Sequence, residues 1–536
     1  LNQMKPGSGP ALGLFHPAPR QPATTAAALL QTDTPLFIDD QGCLQTGSAL
    51  TDDGAPTVPF VGMVPPCPPE QLGDPDFCRD HGLRYAYVGG SMAKGISSVA
   101  MAQAFGAAGM LGFFGAAGLP LDEVEQAIAQ LQGGATPYPF GMNLIHSPNE
   151  PDLEAALVEL YLKRGVRLIE ASAFLDLTLP VVRFRVHGIH CDGSGQIITP
   201  NRIIAKLSRE ELAAKFLAPP PERLLRELVA CGQITAEQAE LAAHIPMAQD
   251  ITVEADSGGH TDNRPAISLF PSILALRDKL QARYRYDQSP RLGLGGGIAT
   301  PASALAAFAM GAAYLVTGTV NQACVESGTC DEVRKMLAET RQADITMAPS
   351  ADMFEMGVHV QVLKRGTMFS MRAARLLELY RQCGSIDEIP AAERQKLEKT
   401  FFRTPLENIW EETRAYFAKR DPRQVERAQQ DPKHKMALIF RWYLGQSPVW
   451  ANRGESSRKI DYQIWCGPAM GAFNEWTAGT FLEDPTRRRV VPVALNLLLG
   501  AAYLWRARQL ILQGFPLAAA AAYAPLETEN LKEYLR

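Results

Sequence analysis

The feature that most constrains the fold is a rhythm of short apolar runs that break into glycines and are each followed by a helix. It is clearest between Asp250 and Cys324. Asp-Ile-Thr-Val-Glu-Ala-Asp-Ser-Gly-Gly-His (Asp250 to His260) is a β-branched run ending in glycines and a histidine. Arg-Leu-Gly-Leu-Gly-Gly-Gly-Ile-Ala-Thr-Pro (Arg291 to Pro301) leads into an alanine-rich helix, and Tyr-Leu-Val-Thr-Gly-Thr (Tyr314 to Thr319) follows. The same unit recurs upstream, with strands expected at Tyr85 to Val88, Met110 to Phe114, Tyr138 to Ile145 and Val166 to Glu170 and helices between them. Repeating βα units bury both faces of a parallel sheet. Four of them before residue 172 and more in the opening stretch favour an α/β fold of the closed (β/α)8 TIM barrel type over an open doubly wound sheet.

Around this barrel the chain divides further. Residues 1–80 are rich in proline, glycine and threonine, and read as a wrapping arm in preference to a small module. Leu36 to Ile38 is a short strand there, and Pro59 to Pro69 is barred from helix by its prolines. Residues 81–206 hold the first part of the barrel, with Phe184 to Ile189, Gln196 to Ala205 and Arg202 to Lys206 reading as strands. Residues 207–247 are a helical insertion in which Thr235 and Gln238 form a capping box; insertions of this kind shape substrate entrances. Residues 248–330 complete the barrel. Residues 331–536 read as mainly helical, with four tryptophans for a second core and no evident catalytic cluster; Tyr462 to Met470, aromatic beside a Gly-Pro turn, suits the sealing of a pocket or interface.

The bulk properties remove other classes. A chain of 536 residues implies several domains, and a net charge of -5 offers no basic stripe for nucleic acid. Nine irregularly spaced cysteines do not form a disulfide framework or a zinc pattern. No signal peptide is evident, and the longest apolar run, Val490 to Trp505, falls short of a membrane span. A soluble, cytoplasmic protein without a membrane partner is expected.

The chemistry sits at the strand ends. Gly295 to Gly297 and Gly318-Thr319 follow adjacent strands, where barrels bind phosphate through backbone N–H groups and a helix N-terminus; tight packing is the plainer use of such glycines. Neither a dinucleotide fingerprint nor a Walker loop is present. His260, behind Gly258-Gly259, is placed to transfer a proton or polarise a carbonyl, or to bond to a neighbouring loop. Asn143 is an amide inside an apolar strand that needs a partner, which a bound ring would supply. Glu254 and Asp256 lack companions at metal-ligand spacing, so no metal is expected. Arg202, Lys206, Arg209 and Lys215 can meet an acidic partner or form a solvated face.

Together these residues resemble the FMN-dependent enoyl reductase and nitronate monooxygenase superfamily. The cues are Gly-Gly-Ser-Met (Gly89 to Met92), Pro-Phe-Gly-Met-Asn (Pro139 to Asn143), Glu-Ala-Asp-Ser-Gly-Gly-His (Glu254 to His260), Gly-Gly-Gly-Ile-Ala (Gly295 to Ala299) and Val-Thr-Gly-Thr (Val316 to Thr319). Within it the chain is most similar to PfaD-type enoyl reductases, which act in trans with polyunsaturated fatty acid and polyketide synthases. The longer motifs behind this are Asp250 to Pro265, Val316 to Glu326, Ala351 to Val358, Asp431 to Leu438 and Asp461 to Asn474; the resemblance runs from about residue 55 to 515. It implies that NADPH or NADH delivers hydride through FMN to the β-carbon of an enoyl thioester carried on acyl carrier protein domains. His260 would be catalytic. Gly89, Gly90, Met92, Asn143, Glu254, Gly258, Gly259, Gly296, Gly297, Gly318 and Thr319 would surround the cofactor, with the last four at its phosphate. A homodimer is expected at family level. Nitronate oxidation and a non-catalytic flavin barrel are the alternatives that share these cues.

Overall fold

The computed structural model describes residues 11–49, 56–134, 137–146, 148, 150–515, 517 and 522–535. The first ten residues of the proline-rich segment lie outside them. Eight parallel strands close into a barrel: β1 (Tyr87–Gly89), β2 (Leu111–Phe114), β3 (Phe140–Ile145), β4 (Leu168–Ser172), β5 (Arg202–Leu207), β6 (Asp250–Glu254), β7 (Arg291–Gly295) and β8 (Leu315–Thr317), each paired with its neighbours in sequence order and β8 with β1. The runs are short and apolar because both faces are covered: β2, Leu-Gly-Phe-Phe, is buried throughout. Sequential pairing places every βα loop at the same end of the barrel.

The opposite end is plugged by an ionic cluster. Asp250, at the start of β6, is fully buried and bonds His81 Nε2 at 2.9 Å and Arg291 Nε at 2.7 Å, while Arg291 also reaches Asp80 at 2.8 Å. The two ends of the opening motif therefore have different jobs. Asp250 and Arg291 close the barrel floor, and the glycines after β6, β7 and β8 open its mouth.

The proline-rich start is a module and not an arm. Strands Gly13–Pro17, Leu36–Asp39, Leu44–Ala49 and Val58–Val64 form a closed antiparallel four-stranded barrel. Phe15 stacks on Phe37 at 4.3 Å inside it, with Phe60 edge-on to both, so three aromatics supply a core where proline content suggested none. Its face packs on the long helix Val490–Leu512 through Leu36, Val64, Leu499 and Tyr503, and the buried Arg506 reaches the Gln31 and Thr34 carbonyls. That helix is long and apolar enough to cross a membrane, but 78% of its apolar window is buried within the protein. It packs against the helix Pro301–Ala309, where a β-carbon on Gly500 would meet Pro301 Cγ at 2.5 Å.

Between β5 and β6 lie three short helices, Glu210–Leu217, Glu222–Ala230 and Ala236–Ala242, the last with the expected Thr235–Gln238 capping box. The expected strand at Phe184 to Ile189 is instead the end of the helix Leu179–Val186. Pro180 sits in its first turn and Val181, Val182, Phe184, Arg185 and Val186 are all buried, so an element covered on every side imitates strand composition. After β8 the chain is mainly helical, with one exception: the hairpin strands Ile345–Pro349 and His359–Leu363, to which Gly259–His260 adds a third antiparallel strand.

Candidate active site

The mouth of the barrel holds a solvent-open cleft with an envelope of about 700 Å³. Its walls are Gly90 to Met92 after β1, Lys206 on β5, Glu254, Ser257 and Gly258 at the end of β6, Gly295 to Ile298 at the end of β7 and Val316 to Val320 at the end of β8. Trp465, Gly467 and Ala469 close it from the C-terminal region, so Tyr462 to Met470 seals a pocket.

One end of the cleft is built from backbone. Gly296 and Gly297 have φ values of +85° and +76°, conformations that favour glycine. A β-carbon on Gly296 would meet Ala255 C at 2.7 Å, whereas one on Gly297 or Gly318 would meet no protein atom within 4 Å. At those two positions the space that a side chain would take belongs to the cleft. The helix Pro301–Ala309 starts directly behind, capped by Thr300 and Ser303. Thr319 Oγ1 accepts from Gly467 N at 3.3 Å, which ties the C-terminal cover to this end.

The floor carries charge. Glu170 from β4, fully buried, accepts from Ser91 N at 2.8 Å and from the Ser91 hydroxyl, and its Oε1 has no hydrogen-bond partner. Lys206 Nζ lies 3.3 Å from Glu254 Oε1, so Glu170, Lys206 and Glu254 set one cation between two carboxylates on three adjacent strands. Burial pushes the Glu170 carboxyl above its ordinary range, with Lys206 and Ser91 pulling it back. Burial works against the Lys206 ammonium, but the Glu254 and Glu170 carboxylates hold it above its usual value. Lys206→Met would leave the carboxylates facing each other, at a cost of about 3 kcal/mol. A carboxyl whose folded pKa is raised stabilises the fold at low pH and loses that contribution as pH rises through the folded value. The variant is therefore expected to melt at progressively lower temperature as pH rises above the ordinary carboxyl range, read by thermal unfolding at several pH values.

His260 stands at the rim. Gly259 and His260 pair with Gln361 and Val360 of the hairpin, which brings two side chains from the C-terminal region to the ring: Nε2 lies 3.2 Å from Asp352 Oδ2 and 3.2 Å from Ser350 Oγ. The loop is braced by Gln361 Nε2, which donates to Asp256 Oδ1 at 2.8 Å and to Ser257 O at 2.7 Å. Gly258 and Gly467 cross backbone to backbone. A β-carbon on Gly258 would meet Cys466 N at 2.9 Å, so Gly258→Ala is expected to push the cover away and destabilise the fold by about 1–3 kcal/mol, read as a lowered Tm.

The catalytic and cofactor residues expected from the sequence divide into two groups. Gly90, Met92, Glu254, Gly258, Gly296, Gly297, Gly318 and Thr319 line the cleft. Gly89, Asn143, Gly259 and His260 do not. Gly89 admits Phe105 against the strand, where a β-carbon would meet that ring at 2.3 Å. Asn143 is buried beneath Ser91, and its Nδ2 donates to Ser91 Oγ, Ser172 Oγ and the Glu170 carbonyl. Gly259 carries the turn that presents His260, with φ +83°.

Sequence reasoning misses Lys206, Glu170, Ser91 and Asp352 as site residues. Arg202 and Lys206 do not share a docking face with Arg209 and Lys215. Arg202 reaches the Asp80 carbonyl at the closed end of the barrel, Lys206 lines the cleft, Arg209 pairs with Asp262 and Lys215 with Asp176. Among the described residues no cluster of His, Cys, Asp and Glu is arranged to hold a metal.

The fold has a counterpart in a solved protein. The chain superimposes on the enoyl reductase domain of MlnA, from the macrolactin biosynthesis cluster of Bacillus amyloliquefaciens, with a TM-score of 0.78 and 40% identity, covering 82% of this chain and 99% of that one. The chain belongs to the PfaD-type enoyl reductases. It is also 46% identical over 487 residues to a polyunsaturated fatty acid synthase component of Thraustochytrium sp., covering 89% of this chain and 32% of that one. Polyketide biosynthesis protein PksE of Bacillus subtilis is 43% identical over 465 residues, covering 86% of this chain and 59% of that one. The chain thus spans a third to somewhat over half of these two relatives. Residues 383–462 match the family described as [Acyl-carrier-protein] S-malonyltransferase, inserted helical domain. In this fold they form a helical layer outside the hairpin that supports His260.

Proposed function

We propose that the chain is an FMN-dependent reductase of 2-enoyl thioesters carried on acyl carrier protein, using NADPH or NADH. The observation that carries this reading is the cleft itself, with a backbone cradle at one end, a buried cation at its floor and a histidine at its rim. FMN fits the cradle: Gly296, Gly297, Gly318 and Thr319 would hold its phosphate, where a β-carbon on Gly297 or Gly318 would stand in the open cleft. Gly90 and Met92 would lie under the ring system, and Lys206 would set a positive charge beside its polar edge. Bound FMN supplies hydride transfer, from the nicotinamide to the enoyl β-carbon.

The chain's own part is to hold charge and move a proton. Reduction at the β-carbon leaves negative charge on the thioester oxygen and α-carbon. His260 at the rim would polarise that carbonyl and protonate the α-carbon, which requires a charged ring. Burial disfavours the imidazolium, and the neighbouring Asp352 carboxylate more than offsets this, so the ring titrates above its usual value. Trp465 and the Gly467 turn line the cleft from the C-terminal region and would screen bound substrate from water. The nicotinamide would visit the same mouth, since no dinucleotide fingerprint exists elsewhere in the sequence. The relatives named for polyunsaturated fatty acid and polyketide synthesis support a synthase-bound thioester as substrate.

The test is anaerobic. Purified protein should carry flavin, NAD(P)H should bleach it, and enoyl-acyl carrier protein should restore its colour with one saturated thioester formed per flavin. Turnover of a nitronate with oxygen, and none of the enoyl thioester, would defeat the reading.

A further inference from the structure

We propose that Asp352, on the loop between the two hairpin strands, is the positioning residue of His260: it holds Nε2–H and so makes Nδ1 the atom that gives up the proton. Asp352 Oδ2 lies 3.2 Å from Nε2, and the Ser350 hydroxyl, 3.2 Å from the same nitrogen, is itself bonded to the Asp352 carboxylate. Among the described residues no hydrogen bond engages Nδ1. The pairing of His260 with Val360 and of Gly259 with Gln361 fixes the ring to the hairpin sheet, and the loop that carries Asp352 is closed at its base by Ser350 N, which donates to the Val358 carbonyl at 2.9 Å.

The other charged groups that act on the ring are Glu254 at the end of β6 and Lys206 on β5, of opposite sign. Lys94 acts on the carboxylate side, and is itself influenced by Asp352. His359, on the hairpin, turns its Nδ1 to the Gly357 carbonyl at 2.8 Å. Asp352 is therefore the group that decides the ring's charge. Burial works against its own ionisation, but the His260 ring and the Ser350 hydroxyl hold it ionised, well below the usual carboxylate range.

The proton step balances within these groups. The Nδ1–H bond breaks with its electron pair staying on the ring, and the enolate pair of the reduced thioester forms the new bond at the α-carbon. Solvent then returns a proton to Nδ1. The role of this step rests on the enoyl-reductase reading; the pairing of Asp352 with His260 does not.

The experiment is a titration of His260 in the full flavin-loaded chain by NMR with labelled histidine, the His260 signal being the one missing from His260→Ala. In the unsubstituted protein it should titrate above the ordinary histidine value of about 6.5. Asp352→Asn should lower it by about one unit or more, and Asp352→Glu should restore most of the shift. The falling limb of the enoyl-dependent rate should move to lower pH by the same amount in Asp352→Asn, with flavin content unchanged. An unsubstituted His260 at or below the ordinary value overturns the proposal, even where Asp352→Asn fails to fold. A titration that does not move in folded Asp352→Asn overturns it too. Should the titrations follow the proposal while no enoyl thioester is reduced, the dyad stands and the reaction assigned to the mouth is wrong.

Discussion

Replacing His260 with alanine is expected to leave the flavin bound and to slow its reoxidation by enoyl thioester about 100- to 10,000-fold, the usual worth of a positioned general acid. The ring stands at the rim and is not among the groups lining the cleft, so its removal takes nothing from the cofactor cradle. It also leaves the hairpin intact, because Gly259 and His260 join that sheet through their backbone. Bleaching of the flavin by NAD(P)H should therefore proceed near the unsubstituted rate, and the loss should fall on the second half-reaction. Rapid-mixing absorbance separates the two halves. A protein that loses its flavin on this substitution would make His260 a structural residue; one that loses both half-reactions equally would make it a general element of the mouth.

Gly318→Leu should do the reverse, giving a folded protein with at least about 100-fold weaker FMN binding. The position has φ -127° and ψ -79°, so no positive φ has to be forced on a larger residue. A β-carbon there meets no protein atom within 4 Å, so the added side chain has somewhere to go, and that place is the end of the cleft proposed for the phosphate. Gly296→Leu is less clean, because its β-carbon would strike the Ala255 backbone at 2.7 Å and the fold itself would suffer. Fluorescence titration of the flavin-free protein with FMN, beside a melting curve without FMN, checks the expectation. Unchanged affinity would move the phosphate elsewhere in the cleft.

The barrel is legible because its strands are short apolar runs punctuated by glycine, and the glycines carry position as well as identity. Gly295 to Gly297 and Gly318-Thr319 follow β7 and β8 side by side, which strand order alone places at one end of a closed sheet. Misreadings fall where burial imitates a different period. The helix Leu179–Val186 is β-branched and covered on all sides, and so reads as strand. The small N-terminal barrel hides its core in three phenylalanines on three of its four short strands, among prolines that suggest an arm.

The site itself is half legible. The residues that follow their own strand can be placed from the sequence, whereas those that arrive from elsewhere cannot. Ser350 meets His260 across 90 residues of sequence, through a hairpin inside a region that reads as helical. Asn143 is a buried amide that needs partners, and its Nδ2 finds Ser91, Ser172 and the Glu170 carbonyl. Lys206 reads from the sequence as a charge beside Arg202 that meets an acidic partner or belongs to a solvated face. They lie on one strand, yet Arg202 pairs with Leu168 at the entry of β4, while Lys206 pairs with Thr252 toward the mouth. Strand direction, and not charge, sorts them.

The central claim is that the glycine cradle, the Lys206 floor and the His260 rim form one flavin site that reduces an enoyl thioester. Single-turnover reoxidation tests it most directly: protein reduced by one equivalent of NAD(P)H without oxygen, then mixed with enoyl-acyl carrier protein while the flavin absorbance is followed. The expected result is rapid return of the oxidised flavin, equimolar saturated thioester, and loss of that return in His260→Ala. A flavin that stays reduced until oxygen is admitted, with the enoyl thioester unconsumed, would contradict it.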